Sequence, residues 1–349
     1  MAAVFKYILP VEETHWKFNG SGETTFTWNY DTQSEDLLRL YGKGKQQQWD
    51  AEKRIDWSLD VDPDDPMQID EQMMPLYGTP LYERLSPRQK SDLRYHSQVH
   101  NLSQFLHGEQ GALICAARIV QDVPTIESKF YAATQVMDEA RHVEAYRRLL
   151  TEKFRFVYPI SPPLKRLLEQ ALTDRRWDFT YLGMQVLIEG LALAAFQRIR
   201  DYAKNPLCQA VNAYVMQDEA RHVAFGRIAL RDYYPQLSDV ERREREEFVI
   251  EGSYFLRDRL NSEEMWERIG IDPKDAMAAH DASDGQARFR KRLFSRIVPT
   301  VKDIGLWGAG VQAAYADLGV LHYADKDPRE MLDNDARVAE EFDQLMQRR

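Results

Sequence analysis

Asp138-Glu139-Ala140-Arg141-His142 and Asp218-Glu219-Ala220-Arg221-His222 are one pentapeptide written twice. Each copy stands 30 residues after another glutamate set in an apolar stretch, Glu109 for the first and Glu189 for the second. Glutamate and histidine at i and i+3 leave one face of a helix together. The repeated pattern therefore offers four carboxylates and two imidazoles, the ligand composition of a two-metal site between the helices of a bundle.

The breaks in the chain test whether these residues can meet. Ser86-Pro87 is an N-cap followed by proline at the first helical position. Prolines at Pro124, Pro159, Pro162, Pro163 and Pro206 end or begin further helices, because their missing N–H does no harm there. The spacing predicts core helices over 87–121, 124–153, 175–203 and 206–233, with another at 163–173. Short turns join the first to the second and the third to the fourth, so each pair should be an antiparallel hairpin. Glu109 lies about 12 residues before its turn and Glu139 about 15 beyond it, which at ~1.5 Å per residue puts them within roughly one helical turn in height. Glu189 and Glu219, about 14 before and 13 after theirs, satisfy the same condition.

The expected fold is all-α: a four-helix bundle over 86–235, an N-terminal wrapping arm over 1–85 and additional helices over 236–349 packed on the bundle. The arm shows short helical patterns near 34–42 and 66–75. The last part shows them near 238–260, 284–304 and 329–347, the final one highly charged and peripheral, with a polar loop at 276–285.

Glu109 interrupts a stripe of Leu102, Phe105, Ala112 and Ala116, and Glu189 one of Leu182, Val186, Ala192, Leu193 and Phe196. Buried carboxylates that converge repel one another unless cations join them. Two divalent metals resolve the conflict, and carboxylate with imidazole but no thiolate suits iron or manganese. Asp138 and Asp218 are placed to accept the outer N–H of a histidine across the bundle, Asp138 from His222 and Asp218 from His142. Arg141 and Arg221 should pair with those aspartates. His96, His100 and His107 lack counterparts in the second half and read as polar core or surface. Glu251 copies the local look of Glu189, but no Glu-x-x-His follows it. Tyr146, one turn beyond His142, is a candidate redox residue as well as a packing one. Small residues beside the glutamates (Gly108, Gly111, Ala112, Gly190, Ala192) leave room for a pocket that an arm bearing Trp49, Trp57 and Tyr77 could close.

Composition narrows the class. Lys+Arg number 46 against Asp+Glu 56, a net charge of -10, and the basic residues form no patch with interleaved aromatics, which argues against nucleic acid. Cys115 and Cys208 are far apart, so neither a disulfide framework nor a thiolate zinc site is indicated. No signal-like apolar run is read in the first 20 residues and no uninterrupted apolar stretch of membrane length later, so a cytoplasmic chain without a membrane span is expected.

The doublet resembles the ferritin-like dinuclear carboxylate superfamily over about residues 87–233: ribonucleotide reductase small subunits, related ligand-binding oxidases, bacterial monooxygenase hydroxylase subunits and arylamine N-oxygenases. That resemblance implies one metal on Glu109, Glu139 and His142 and the other on Glu189, Glu219 and His222, with glutamates bridging. It implies two iron ions, or a manganese–iron pair, that activate O2 to oxidise a small or lipid-like organic substrate by hydroxylation, N-oxygenation or desaturation. Electrons would come from an external ferredoxin or reductase, and a homodimer is compatible. Two positions depart from these relatives. Val215 stands where the arylamine N-oxygenases place a further histidine, and Leu193 where the hydroxylase subunits place threonine. Tyr146 stands where the reductase small subunits carry their radical tyrosine, but the segment 343–349 lacks their aromatic docking tail. A radical or ligand-binding oxidase using Tyr146 is the alternative expectation, and a non-catalytic iron-binding bundle the third.

Overall fold

The computed structural model describes residues 24–27, 32–174, 176–258 and 263–347, and every described element is helical. The start of the arm, 1–23, and the last two residues of the chain lie outside the described residues. The arm contributes α1 (Glu35–Gln46), α2 (Ala51–Arg54) and α3 (Pro80–Arg84). The bundle follows: α4 (Pro87–Asp122), α5 (Ile126–Arg148), α6 (Pro162–Thr173), α7 (Trp177–Tyr181), α8 (Glu189–Tyr202) and α9 (Pro206–Tyr233). Then come α10 (Asp239–Asp258), α11 (Glu263–Arg268), α12 (Pro273–Ala282), α13 (Asp284–Leu293), α14 (Ile297–Asp303), α15 (Ala309–Asp317) and α16 (Pro328–Gln347).

Local chemistry starts three of the four core helices where the sequence suggested. Ser86 Oγ accepts from Gln89 N while Gln89 Oε1 accepts from Ser86 N, a reciprocal cap that satisfies two otherwise orphaned donors of α4. Thr125 caps α5, and Asn205 Oδ1 accepts from Leu207 N and Cys208 N ahead of α9. The pairs α4–α5 and α8–α9 pack as the two hairpins of the bundle.

Two stretches of wide helical turn were not legible beforehand. One extends α5 over Leu149–Phe154 and ends at Arg155 in the left-handed region, φ 60. The other, Leu182–Ile188, joins α7 to α8 and ends directly at Glu189. Inserting a residue into a helix rotates everything beyond it, and such bulges recur where a side chain must be re-aimed. Trp177–Tyr202 as a whole is long and apolar enough to cross a membrane by composition, but 89% of its apolar window is buried inside the protein, as a core helix is.

Four expectations need correction. The loop at 276–285 is largely α12, started by Asp272, whose carboxylate accepts from Lys274 N and Asp275 N, with Pro273 at the first position. The helix expected over 284–304 is broken at Phe294–Arg296, and α14 restarts two residues ahead of Pro299, where proline's lack of a donor is tolerated. Around 66–75 only Glu71–Met73 turns helically. Pro66-Met67 form a turn closed by Gln68 N donating to Asp65 O, and the segment is pinned to the bundle because Met67 N donates to Gln98 Oε1 and Met67 O accepts from Lys204 N and Asn205 N. The charged α16 is also more than peripheral: it packs on α9, and its Asp335 is buried against Arg296 at 2.8 Å.

The apolar core lies in two bodies. One gathers Leu102, Phe105, Tyr146, Phe196 and Tyr214, the other Cys115, Tyr131, Leu182, Val186 and Phe225.

Candidate metal centre

Glu109 comes from α4, Glu139 and His142 from α5, Glu189 from the first turn of α8, and Glu219 and His222 from α9. The structure brings all six together in two overlapping sets. Glu109, Glu139, His142 and Glu219 offer ligand atoms within 4.8 Å of one another, and so do Glu139, Glu189, Glu219 and His222. Glu139 and Glu219 belong to both sets. His142 Nδ1 lies 3.2 Å from Glu109 Oε2 and 3.1 Å from Glu219 Oε1. His222 Nδ1 lies 3.1 Å from Glu139 Oε1 and 3.4 Å from Glu219 Oε1.

Behind the imidazoles the aspartates cross the bundle. His142 Nε2 is 3.1 Å from Asp218 Oδ2, and His222 Nε2 is 3.2 Å from Asp138 Oδ2. Donating Nε2–H outward aims each Nδ1 inward, where its lone pair becomes free once the proton there is displaced. Arg141 joins both aspartates, at 2.8 Å to Asp218 Oδ2, and Arg221 donates to Asp218. The end of α1 closes this layer: Gln48 Nε2 donates to Asp138 Oδ1 at 2.7 Å and Trp49 Nε1 to Asp218 Oδ2 at 2.8 Å, while Gln47 Oε1 accepts from Arg221. Of the aromatic residues expected as a cover, Trp49 therefore braces the centre from behind. Trp57 bonds Ala51 O, and Tyr77 lies at the surface against Tyr82.

One residue that sequence reasoning missed sits in the cluster. Gln135 Nε2 lies 3.0 Å from Glu139 Oε1 and 3.0 Å from Glu189 Oε1, tying two carboxylates that belong to different helices. Its signal was its place one turn before Glu139, the same offset at which Val215 precedes Glu219.

Burial drives Glu109 and Glu189 well above the usual carboxylate range, and the neighbouring Glu219 adds repulsion to each. Burial also opposes charge on Glu139, yet His222 and His142 outweigh it and hold that carboxylate well below the range. Both imidazoles are pushed the other way: burial works against their protonation, but Asp218 and Glu109 around His142, and Glu219 and Glu139 around His222, hold them protonated. Protons thus neutralise the cluster. Even so, Glu139 Oε2, Glu189 Oε2, both Glu219 oxygens and His222 Nδ1 are buried without a hydrogen-bond partner. Two divalent cations fit this donor set, supplying the missing partners and replacing the protons.

A chamber of about 20 Å³, room for one water-sized molecule, touches Glu109, Glu189 and Glu219. Gly108, Ala112 and Ala192 line it. Gly111 and Gly190 instead admit close packing, since a Cβ would meet Leu168 at 2.4 Å and Ile297 at 3.1 Å. Tyr146 is fully buried behind the chamber's lining, its ring against Phe105 and Phe196, and donates to Asn212 Oδ1 at 3.0 Å. His96, His100 and His107 face elsewhere, bonding Tyr158 OH, Glu264 and Tyr158 O. Glu251 is exposed.

Comparison with known proteins adds the following. The family model described as "P-aminobenzoate N-oxygenase AurF" matches residues 31–305. Among curated proteins no match is found. Solved structures with similar chain traces include a Synechococcus protein with aldehyde deformylating oxidase activity, at TM-score 0.47 and 16% identity, covering 64% of this chain and 96% of that one. Another is an R2-like ligand-binding oxidase variant with an anaerobically reconstituted Mn/Fe cofactor, at TM-score 0.49 and 16% identity, covering 78% of this chain and 95% of that one.

Proposed function

The chain belongs to the AurF family, an oxidoreductase of the ferritin-like di-iron superfamily with a dimetal centre, and from that premise we propose that the pair is Fe/Fe or Mn/Fe and how the residues divide the work. One metal is held by Glu109, Glu139 and His142, the other by Glu189, Glu219 and His222, with Glu139 and Glu219 shared. The observation that carries this reading is that two sets of four ligand atoms, each within 4.8 Å, have those two glutamates in common. When bound, the metal pair supplies the redox chemistry that activates O2. Everything else is done by the chain. Asp138 and Asp218 fix the imidazole tautomers, Arg141 and Arg221 neutralise those aspartates, and Gln135 orients Glu139 and Glu189. Phe105 and Phe196, whose ring centroids are 4.7 Å apart, keep bulk water from the chamber.

The proposed reaction is oxygenation of a small or lipid-like organic substrate held against that apolar wall, with electrons from an external ferredoxin or reductase. The family's name makes p-aminobenzoate the first compound to try. Val215, in place of a further histidine, leaves the second metal without an extra imidazole, so other substrates belong in the same screen. Free, buried Cys115 and Cys208 suit a reducing cytoplasm. Tyr146 is read as a packing residue behind Phe105 and Phe196, because its hydroxyl is held by Asn212. Anaerobic Fe(II) loading followed by O2 tests the reading: two irons per chain and O2 consumption coupled to substrate oxidation are expected. Normal binding of two metals by Glu139→Ala and His222→Ala would refute the ligand assignment. A persistent tyrosyl radical signal would transfer the role to Tyr146.

A further inference from the structure

A second cavity, of about 120 Å³, lies beside the chamber, and Gln104 and Phe105 line both. The Phe105 ring is the partition. Beyond it the lining is apolar and adaptable, with Met67, Met73, Met74 and Met265 joined by Ile199 and Trp266. Unbranched methionine side chains repack around flexible guests.

One charged group projects into this lining. Arg198 of α8 donates from Nη2 to Met73 O at 2.7 Å and lies over the Phe289 ring at 4.0 Å from its centroid. Its Nε is buried without a partner. Burial pulls the guanidinium down to about 10, and the nearby Arg292 opposes its charge further. Among the described residues, Arg141, Arg200, Arg221, Arg227, Arg245 and Arg296 are each buried against a carboxylate. No such pair is found for Arg198 among the described residues. Of the cavity's other polar side chains, Gln98 bonds Asp65 and Met67 N, Gln104 bonds Pro159 O and Ser161 N, Gln286 bonds Met74 O and His100 bonds Glu264. Arg198 is half-buried, and a cation facing an apolar cavity without a counter-ion is costly, while a carboxylate ligand offers the planar acceptor that a guanidinium fits.

Resting on the oxygenase reading above, we propose that Arg198 receives the carboxylate of an elongated apolar substrate whose far end passes Phe105 into the chamber at Glu109 and Glu189. Arg198 stands nine residues beyond Glu189, ~13 Å along the helix axis. A single-ring aminobenzoate is too short to bridge that offset; an alkyl or aryl-alkyl acid is not. Phe105 turns aside to admit the chain, and the methionines wrap it.

Isothermal titration of the iron-loaded protein with dodecanoate and with dodecanol tests this, with metal content measured on the same samples. Wild-type protein should bind the acid about tenfold or more tightly than the alcohol, the value of one charge-assisted hydrogen bond. Arg198→Gln should abolish that preference while leaving alcohol affinity within about twofold, and Arg198→Lys should retain part of it. Equal binding of acid and alcohol by the wild type overturns the proposal without any variant. So does an acid preference that survives Arg198→Gln, and one that vanishes on metal removal would place the carboxylate on the metals instead. A chain that takes up no metal but keeps an Arg198-dependent preference refutes the oxygenase reading and leaves this site standing.

Discussion

Replacing Glu189 by glutamine should shift the stability of the metal-free and metal-loaded protein in opposite directions. In the metal-free chain Glu189 lies within 4.8 Å of Glu139 and Glu219. Holding Glu189 protonated beside them costs about 1.4 kcal/mol for each pH unit above the ordinary glutamate pKa of ~4.3, roughly 3–4 kcal/mol at pH 7. The sign follows from the shift. Glu189 is held well above the usual carboxylate range, so the folded state keeps a proton that the unfolded state gives up. Stability is then lost as pH rises through the unfolded pKa, and the penalty is present at neutral pH. Glutamine cannot ionise and can still accept from Gln135 through its Oε1, so the variant should gain stability on the order of 3–4 kcal/mol without metal. With metal the order reverses, because the second site loses an anionic ligand and with it the stabilisation that bound metal confers, about 2.7 kcal/mol at 100 times the dissociation constant. Differential scanning calorimetry with and without Fe(II), paired with metal analysis, reads both. A metal-free variant that melts below the wild type, or a variant that still binds two metals as tightly, would refute the reasoning.

Other outcomes follow from the same geometry. Metal affinity should fall as pH is lowered from about 8 to 6, since binding displaces protons from His142, His222, Glu109 and Glu189, all held protonated in the metal-free state; a pH-independent dissociation constant would contradict that. Gln135→Leu should keep both sites but weaken metal binding by about 10- to 100-fold, because Glu139 and Glu189 lose the shared donor that orients them; competition with a chelator measures it. Away from the centre, Arg245→Leu should cost about 3–5 kcal/mol in urea unfolding, since Asp178, paired to Arg245 at 2.8 and 3.2 Å, would be left buried alone.

What could be read in the sequence and what could not divides along physical lines. The bundle was legible because proline and N-cap signals are local: Asn205-Pro206 starts α9 where it was expected. Convergence of the doublet was legible because helix rise converts residue counts into heights. The wide turn at Leu182–Ile188 was not, since no residue in it announces an added backbone step. The brace from Gln48 and Trp49 joins groups 90 and 169 residues apart, and nothing periodic marks it. Arg198 looked like any charged residue on a helix until the arm folded Met73 and Met74 over it. Asp272-Pro273 carried a helix start that the polar composition of 276–285 obscured.

The central claim is that two distant Glu…Glu-x-x-His halves make one centre, not two independent sites. Stoichiometric loading with Fe(II), oxidation by O2 and low-temperature Mössbauer and electron paramagnetic resonance spectroscopy test it most directly. Because Glu139 and Glu219 each belong to both ligand sets, the two ferric ions should be exchange-coupled and silent in paramagnetic resonance at two irons per chain. A full-intensity signal from isolated high-spin ferric ions, or saturation at one iron per chain, would contradict the account.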